Sequence, residues 1–501
     1  MGTDPIYRSF VKGKWGLSPF IAFLAGAAAV FAFAPLGLYP IALVSFAVLI
    51  HLWRNASQRE AFWIGFAFGM GLFVIGVSWV YVSLSVFGGM PAPLAGIATL
   101  GFCVLLSLFT GFAGWLQARI PATALARALL VVPACWTLGE WLRSWVLTGF
   151  PWLSAGYAAT GWPLQGYAPV LGVFGISFAS VSLAGFLWMI ATRQKRLAAA
   201  LSLVAIVALG EGLRHVEWTR PYGAPLPVAL LQGNIAQDLK FRPERYLRTL
   251  ETYARLAEES RAQLIIFPET ALPRLYEQVE PAYLAQLRRA AQRNGGDLLL
   301  GVPYRDAGRY YNSVMVLGRS GTQIYHKSHL VPFGEFVPPA FGWVMGWLRI
   351  PMSDFSRGPA GQPPLAAAGQ RIAVSVCYED AFGDELGSRA AQATLLVNMS
   401  NVAWFGDSLA PAQHLQIARL RAIESGRMHL AATNTGVTAA IDRDGRVLAR
   451  LPQFEEGRLE IAAQGYEGAT PYLRFADLPI LIVALAILLA HVLVARLRRS
   501  R

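Results

Sequence analysis

The chain has 501 residues, of which 55% are hydrophobic and only 15% charged. Soluble domains carry about 25% charged residues, so this composition excludes a wholly soluble protein and points to a membrane protein with a soluble part. The net charge of +13 does not mark a nucleic-acid binder, because most of the basic excess flanks apolar segments rather than clustering in the soluble part.

A membrane helix takes about 20 apolar residues. Eight segments approach or exceed that length: 17–34, 37–53, 61–84, 92–117, 128–146, 165–191, 197–213 and 474–495. The second and seventh are short. The first follows Arg8, Lys12 and Lys14, as a secretory signal would, but its apolar run is long and more spans follow. It reads as an uncleaved helix.

Charge placement gives an orientation. Basic residues fall at the N-terminus, at Arg54 and Arg59, at Arg119 and Arg127, from Arg193 to Arg196, and from Arg496 to Arg501. The connections around Pro35-Leu36-Gly37 and Phe87–Pro91 carry no charge. All five basic segments lie on one side, which the positive-inside rule assigns to the cytoplasm. Both termini are then expected in the cytoplasm, and the long stretch between spans seven and eight in the periplasm.

That stretch divides the chain into helices 1–7 (1–220), a soluble domain (221–466), and an eighth helix with a basic tail (467–501). Short β-like runs recur within it at 228–231, 264–267, 298–300, 313–317, 372–376 and 394–397. Helix-like segments at 246–262 and 281–294 separate some of them. The alternation predicts a layered α/β domain. Residues 358–369, rich in Pro, Gly and Ala, read as a loop.

Three motifs in this domain carry chemistry: Pro268-Glu269-Thr270, His326-Lys327-Ser328-His329-Leu330 and Val376-Cys377-Tyr378-Glu379. Each stands at or near a strand-like run. Cys103 and Cys135 lie in apolar spans and read as inert core residues, with neither a disulfide framework nor a metal-ligand spacing. Cys377 is the one soluble-domain thiol. A thiol attacks as thiolate, so it needs a base or a neighbouring cation. Glu269 can take the proton and Lys327 can stabilise an oxyanion. Singly, each residue has an ordinary structural reading: a core cysteine, a helix N-terminal carboxylate, a loop cation.

Together, Pro-Glu-Thr, His-Lys-Ser-His-Leu-Val-Pro-Phe-Gly-Glu and Cys-Tyr-Glu-Asp closely resemble the nitrilase superfamily, whose set is Glu-Lys-Cys in this order. The implied fold is a four-layer α-β-β-α sandwich. Lys327–Pro338, Gln232-Gly233-Asn234-Ile235, Asn398–Asn401 and Trp404-Phe405 are similar to the membrane-embedded branch, the apolipoprotein N-acyltransferases. The resemblance then spans essentially the whole chain.

What this resemblance implies is a cofactor-free, two-step transfer at the bilayer. Cys377 takes an acyl chain from a phospholipid as a thioester. The α-amine of a diacylglyceryl-cysteine on an apolipoprotein then accepts it. Glu269 would be the base and Lys327 the oxyanion stabiliser. Glu335 resembles a further family carboxylate that orients Lys327 or assists proton transfer. Tyr378 and Glu379 flank the nucleophile as pocket or structural residues, and Glu424 is a weaker carry-over. Phe241 stands where the family often has a Trp on a mobile arm, a departure that leaves its part in lipid handling open. Phe333, Phe336, Phe341, Trp343 and Trp347 belong to an apolar loop expected to dip into the outer leaflet, or else to pack on the membrane helices. Trp152 is expected at the floor of the site or as an interfacial anchor.

Two rival functions remain. A membrane-anchored amidase hydrolysing a small-molecule carbon–nitrogen bond would use the same three residues with water as acceptor. A transporter would need intramembrane charges, of which Glu140 and Arg143 are the main candidates.

Overall fold

A computed structural model describes residues 16–337 and 354–499. Phe341, Trp343 and Trp347 lie outside the described residues. Six helices are long and apolar enough to cross a membrane: Gln58–Gly76, Ala92–Arg119, Ala124–Arg143, Pro163–Ala191, Arg196–Leu213 and Leu478–Arg498. Two shorter apolar helices, Ser18–Ala32 and Tyr39–Trp53, occupy the first two expected segments. Among the described residues, six helices rather than eight therefore meet the length. Pro35 explains the first shortfall. The residue before a proline is disfavoured in helical backbone, and the chain is already extended at Phe33 (φ −92°, ψ 168°).

The third helix also shifts from its expected bounds. A capping box between Ser57 and Glu60 starts it at Gln58, and it ends at Gly76, after which short turns run to Phe87. Small residues let the bundle close tightly. A Cβ on Gly26 would meet the Phe68 carbonyl oxygen at 1.9 Å, and one on Gly114 the Ala61 carbonyl oxygen at 2.3 Å.

The soluble part contains two six-stranded sheets. The first runs β12 (Gly457–Gly468), β1 (Thr219–Gln232), β2 (Leu264–Ile266), β3 (Asp297–Asp306), β4 (Arg309–Gly318) and β5 (Gln323–His326). The second runs β11 (Val447–Arg450), β10 (Ala439–Ile441), β9 (His429–Thr433), β8 (Leu395–Ser400), β7 (Gln370–Val376) and β6 (Leu365–Ala367). Within each sheet three strands are parallel, β1-β2-β3 and β7-β8-β9, and the flanking strands are antiparallel. Parallel strands are covered on both faces, which is why 264–266 and 372–376 read as nearly unbroken apolar runs.

The inner faces of both sheets share one core, in which Leu230, Ile266 and Leu299 join Val374, Val397 and Leu430. Helices α1 (Pro243–Glu258) and α2 (Pro281–Arg293) cover the first sheet. Helix α3 (Gly383–Ala390) packs Leu386 and Ala390 on Ala373 and Leu396 of the second. Helix α4 (Ala410–Ser425) covers the rest of it, through Ala418 and Ala422 on Ile441. The result is the four-layer α-β-β-α order.

Helix α4 is the seam between the two parts of the molecule. One side faces the second sheet, while Ile417, Leu420 and Ile423 join the core of the membrane bundle. Its buried polar residues reach across. Gln413 Oε1 accepts from the Trp79 and Trp152 indole N–H groups at 3.1 and 2.7 Å, and its amide donates to the Gly76 carbonyl at 3.0 Å. Gln416 accepts from the Ala34 N–H at 3.0 Å.

Gln413→Leu would leave two buried indole donors without partners. Orphaned donors cost about 1–3 kcal/mol each, so the variant is expected to lower the thermal midpoint of the detergent-solubilised protein. An unchanged midpoint would show that the seam does not depend on this residue.

Candidate active site

The motif residues meet beyond the carboxyl ends of strands, where α/β sheets leave a crevice. Cys377 follows β7 directly, Lys327 follows β5, Asn401 follows β8, and Glu269 stands three residues past β2. The backbone there is unusual. Asn234, Thr270, Phe333 and Cys377 all have positive φ, between 47° and 61°. Non-glycine residues adopt this region only where their surroundings enforce it. At Cys377 it turns the chain out of the strand into the 3₁₀ turn Cys377–Ala381. Gly301 permits a further close approach, since a Cβ there would meet the Pro268 carbonyl oxygen at 2.2 Å and the Glu269 Cα at 2.9 Å.

Charge organises the centre of the site. Lys327 is 1% exposed. Its ammonium lies 2.8 Å from a Glu335 carboxylate oxygen and 3.7 Å from Glu269 Oε1. Burial alone would lower its proton affinity, but Glu335 and then Glu269 outweigh burial and hold it charged. Asn312 ties the two carboxylates together, donating to Glu269 at 2.7 Å and Glu335 at 2.8 Å. The Asn401 backbone N–H donates to Glu269 Oε2 at 2.8 Å. Burial, followed by Glu269, pushes the Cys377 thiol above its ordinary range, against the pull of Lys327. The resting group is therefore the thiol, which must give up its proton as it attacks.

Glu379 is fully buried and acts as a knot rather than a pocket wall. It accepts from the N–H groups of Val376, Ser328 and His329 at 2.8, 2.7 and 3.0 Å, and from the Tyr325 and Ser328 hydroxyls at 2.9 Å each. The nucleophile's turn and the Lys327 loop are thereby fastened to each other. Asn398 holds the Cys377 carbonyl at 3.1 Å.

Tyr378 and His329 fasten the site to the membrane part. The Tyr378 hydroxyl donates to the Gly149 carbonyl at 2.8 Å, and its ring stacks on Phe150 at 6.2 Å. His329 stands 3.0 Å from the Thr148 carbonyl oxygen and 2.8 Å from Glu385, with its ring stacked on Phe382 at 3.6 Å.

The remaining predicted residues are dispersed. Trp152 is buried at the seam, stacked on His414 at 5.9 Å, so it is no interfacial anchor. Phe241 is half-buried on the loop after β1. Phe333 packs with Met90 and Ala95 of the membrane part, and Phe336 lies under the Arg357 guanidinium at 5.4 Å. Glu424 is buried at the seam, paired with Arg421 at 2.8 Å and accepting from the Val173 N–H at 2.9 Å. Glu140 and Arg143 are likewise structural. Glu140 accepts from the Trp136 indole and the Ala155 N–H, and Arg143 donates to the Phe150 and Trp152 carbonyls.

Sequence reasoning missed Asn312 and Lys240. Asn312 had a signal, a lone amide at the start of an apolar strand. Lys240 is 2% exposed and donates to the Glu269 carbonyl at 3.2 Å; nothing in its neighbours on the chain marks it.

A Glu, a Lys and a Cys brought together at the strand ends of an α-β-β-α sandwich, carried on apolar helices, define a membrane-borne protein of the carbon–nitrogen hydrolase class. Residues 227–472 match the carbon-nitrogen hydrolase family, and residues 25–186 match the apolipoprotein N-acyltransferase N-terminal domain. The apolipoprotein N-acyltransferase of Nitrosomonas europaea is 47% identical over 482 residues, covering 95% of this chain and 97% of that one. Those of Chromobacterium violaceum and Methylococcus capsulatus are 45% and 44% identical, covering 96% of this chain and 94% and 96% of theirs. Among solved structures, a carbon-nitrogen hydrolase from Helicobacter pylori is 19% identical, covering 48% of this chain and 89% of that one, with a TM-score of 0.36. The chain belongs to the apolipoprotein N-acyltransferase family and is an acyltransferase.

The electrostatics of the thiol can be tested without turnover. Glu269→Gln removes a negative charge that raises the thiol. Alkylation of Cys377 by iodoacetamide at fixed pH should then accelerate by about tenfold or more, as the change of one neighbouring charge allows. Lys327→Met should slow it. In the parent protein the rate should climb steadily as pH rises above neutral. Equal rates in all three proteins would show that these groups do not act on the sulfur.

Proposed function

We propose that the protein transfers an acyl chain from a membrane phospholipid to the α-amine of the diacylglyceryl-cysteine of an apolipoprotein, through a thioester on Cys377. The observation that carries this reading is the pairing of Cys377 with Glu269 and Lys327 on a turn bonded to the membrane part through Tyr378 and Gly149.

In the first half-reaction the Cys377 sulfur attacks the ester carbonyl. The thiol proton passes to Glu269, and Lys327 stabilises the tetrahedral oxyanion in a site of low dielectric. The ester C–O bond breaks, Glu269 returns the proton to the departing glycerol oxygen, and the lysophospholipid leaves. In the second, the amine nitrogen attacks the thioester carbonyl, the C–S bond breaks, and Glu269 moves a proton from nitrogen to sulfur. Covalent catalysis divides one difficult transfer into two easier ones. Glu335 sets the position of Lys327, while Tyr378 and Glu379 hold the nucleophile's turn. Phe333 and Phe336, with Phe341, Trp343 and Trp347 of the same apolar stretch, admit the acyl chains, and Phe241, on the separate loop after β1, stands where the family often has a Trp.

Eight helices span the bacterial inner membrane in this reading, seven within 1–220 and one within 467–501. The domain at 221–466 faces the periplasm, and both termini face the cytoplasm. Both substrates are lipid-anchored, and tethering at both ends keeps the site at the bilayer surface where they lie.

Intact mass spectrometry after incubation with phosphatidylethanolamine should show an acyl adduct that Cys377→Ser abolishes, with matching lysophospholipid release. Absence of an adduct would overturn the thioester route. If the adduct forms but is discharged by water in preference to a diacylated lipopeptide, the amidase reading gains instead. Lys327→Ala should reduce transfer by about 10²-fold or more, the range for losing an oxyanion donor.

A further inference from the structure

The two substrates of the proposed reaction carry the same esters. A phospholipid and a diacylglyceryl-cysteine each present acyl chains linked to glycerol, so neither the nucleophile nor an apolar entry tells donor from acceptor. What differs is the remaining glycerol carbon. The donor carries a phosphate there, and the acceptor carries the cysteine sulfur. A site that takes its acyl chain from the phospholipid alone needs a group that reads the phosphate.

Arg357 has the chemistry and the setting for that task. It is exposed, and its guanidinium carbon lies 5.4 Å from the centre of the Phe336 ring. Among the described residues, no hydrogen bond or ion pair engages the guanidinium. Asp354, on the same segment, is exposed and forms no ion pair with it. A guanidinium laid on a ring keeps a planar fork of donors, and that fork matches the paired oxygens of a phosphate.

The segment that carries Arg357 is stitched to the catalytic loops on both sides. The Phe355 N–H donates to the Glu335 carbonyl at 3.0 Å, and the Gly358 N–H donates to the Lys327 carbonyl at 2.8 Å. Gly358 permits the second approach, since a Cβ there would meet the His326 carbonyl oxygen at 2.2 Å. Arg357 thus stands between backbone bonds to the two residues of the buried ion pair. The ring beneath it belongs to the residue after Glu335. That residue's carbonyl accepts from the Phe333 N–H at 2.7 Å, and Phe333 packs on Met90 and Ala95 of the membrane part. The cation therefore lies on the rim where the Lys327 loop meets the membrane part. In a glycerophospholipid the phosphate is a few bonds from either ester. An ester drawn in toward Cys377 and Lys327 leaves its phosphate at that rim.

We propose that Arg357 binds the phosphate of the acyl donor, and that this contact selects the phospholipid over the diacylglyceryl group of the acceptor. On the two-step reading, on which this assignment rests, Arg357 serves the first half-reaction alone, because the acceptor has no phosphate there.

With phosphatidylethanolamine below saturation, full-length Arg357→Gln should form the Cys377 adduct about tenfold more slowly than the parent, as loss of a charge-assisted hydrogen bond allows. Arg357→Lys should recover part of the rate. p-Nitrophenyl palmitate, an activated ester without phosphate, should acylate the parent and both variants equally fast. Discharge of the formed adduct to a diacylated lipopeptide should be equally unaffected. When phosphatidylethanolamine competes with diacylglycerol of the same chains, the parent's preference for the phospholipid should fall about tenfold in Arg357→Gln. Parent-like rates with phosphatidylethanolamine, an equal loss with p-nitrophenyl palmitate, or an unchanged preference would each overturn the proposal. A parent that takes no acyl chain from phosphatidylethanolamine overturns the two-step reading itself, and that outcome is seen before any variant is compared.

Discussion

A single buried ammonium sets the terms for the rest of the site. Lys327 is almost wholly excluded from solvent, and its charge is supported by carboxylates from two different loops, Glu269 and Glu335. Removing one partner of a buried pair leaves an uncompensated charge at a cost of about 3–5 kcal/mol. The Glu269 and Lys327 segments are therefore bound to one geometry. Asn312 enforces it by donating to both carboxylates at once, and Glu379 repeats the device one layer deeper, where one carboxylate collects donors from the Lys327 loop and the Cys377 turn. Around these fixed charges the thiol rests in its protonated form, and attack is tied to proton removal.

The same rigidity extends into the membrane part. Helix α4 buries glutamines and charged residues on faces that a free-standing sandwich would present to water. Its partners are the backbone and indoles of the bundle. Tyr378, one residue from the nucleophile, ends on the Gly149 carbonyl, and His329, two residues from Lys327, ends on Thr148. Both reach the same short segment between membrane helices. The reacting groups are positioned against the bundle as well as against each other.

How much of this is legible in the sequence differs by element. Residues 264–266 and 372–376 are visible as strands because both faces are covered and the runs are apolar throughout. Short strands such as β9 and β11 are not, since their alanines and alternating polar residues lack that signature. The layer order comes through the motif resemblance and not through periodicity. Hydropathy overestimates the first helix because it does not register that Pro35 stops it. At the site, Glu269, Lys327 and Cys377 are visible through motif order and do converge. Asn312, Asn401 and Lys240 act through contacts made only when distant strands come together. Glu424 stands out in the sequence without a role, because its partner, the Val173 N–H, lies 251 residues away.

That last contact changes how the two parts of the chain relate. The helix Pro163–Ala191 is broken at Gly172, whose backbone (φ 65°, ψ −169°) is not helical. The break exposes new N-terminal amides in the middle of a membrane element, and such amides need an outside acceptor. Glu424, from the helix that lines the seam, supplies it. A span of the membrane bundle is thus capped by a side chain from the far end of the soluble domain. The two halves that look like separable modules therefore share a helix cap that neither half forms alone.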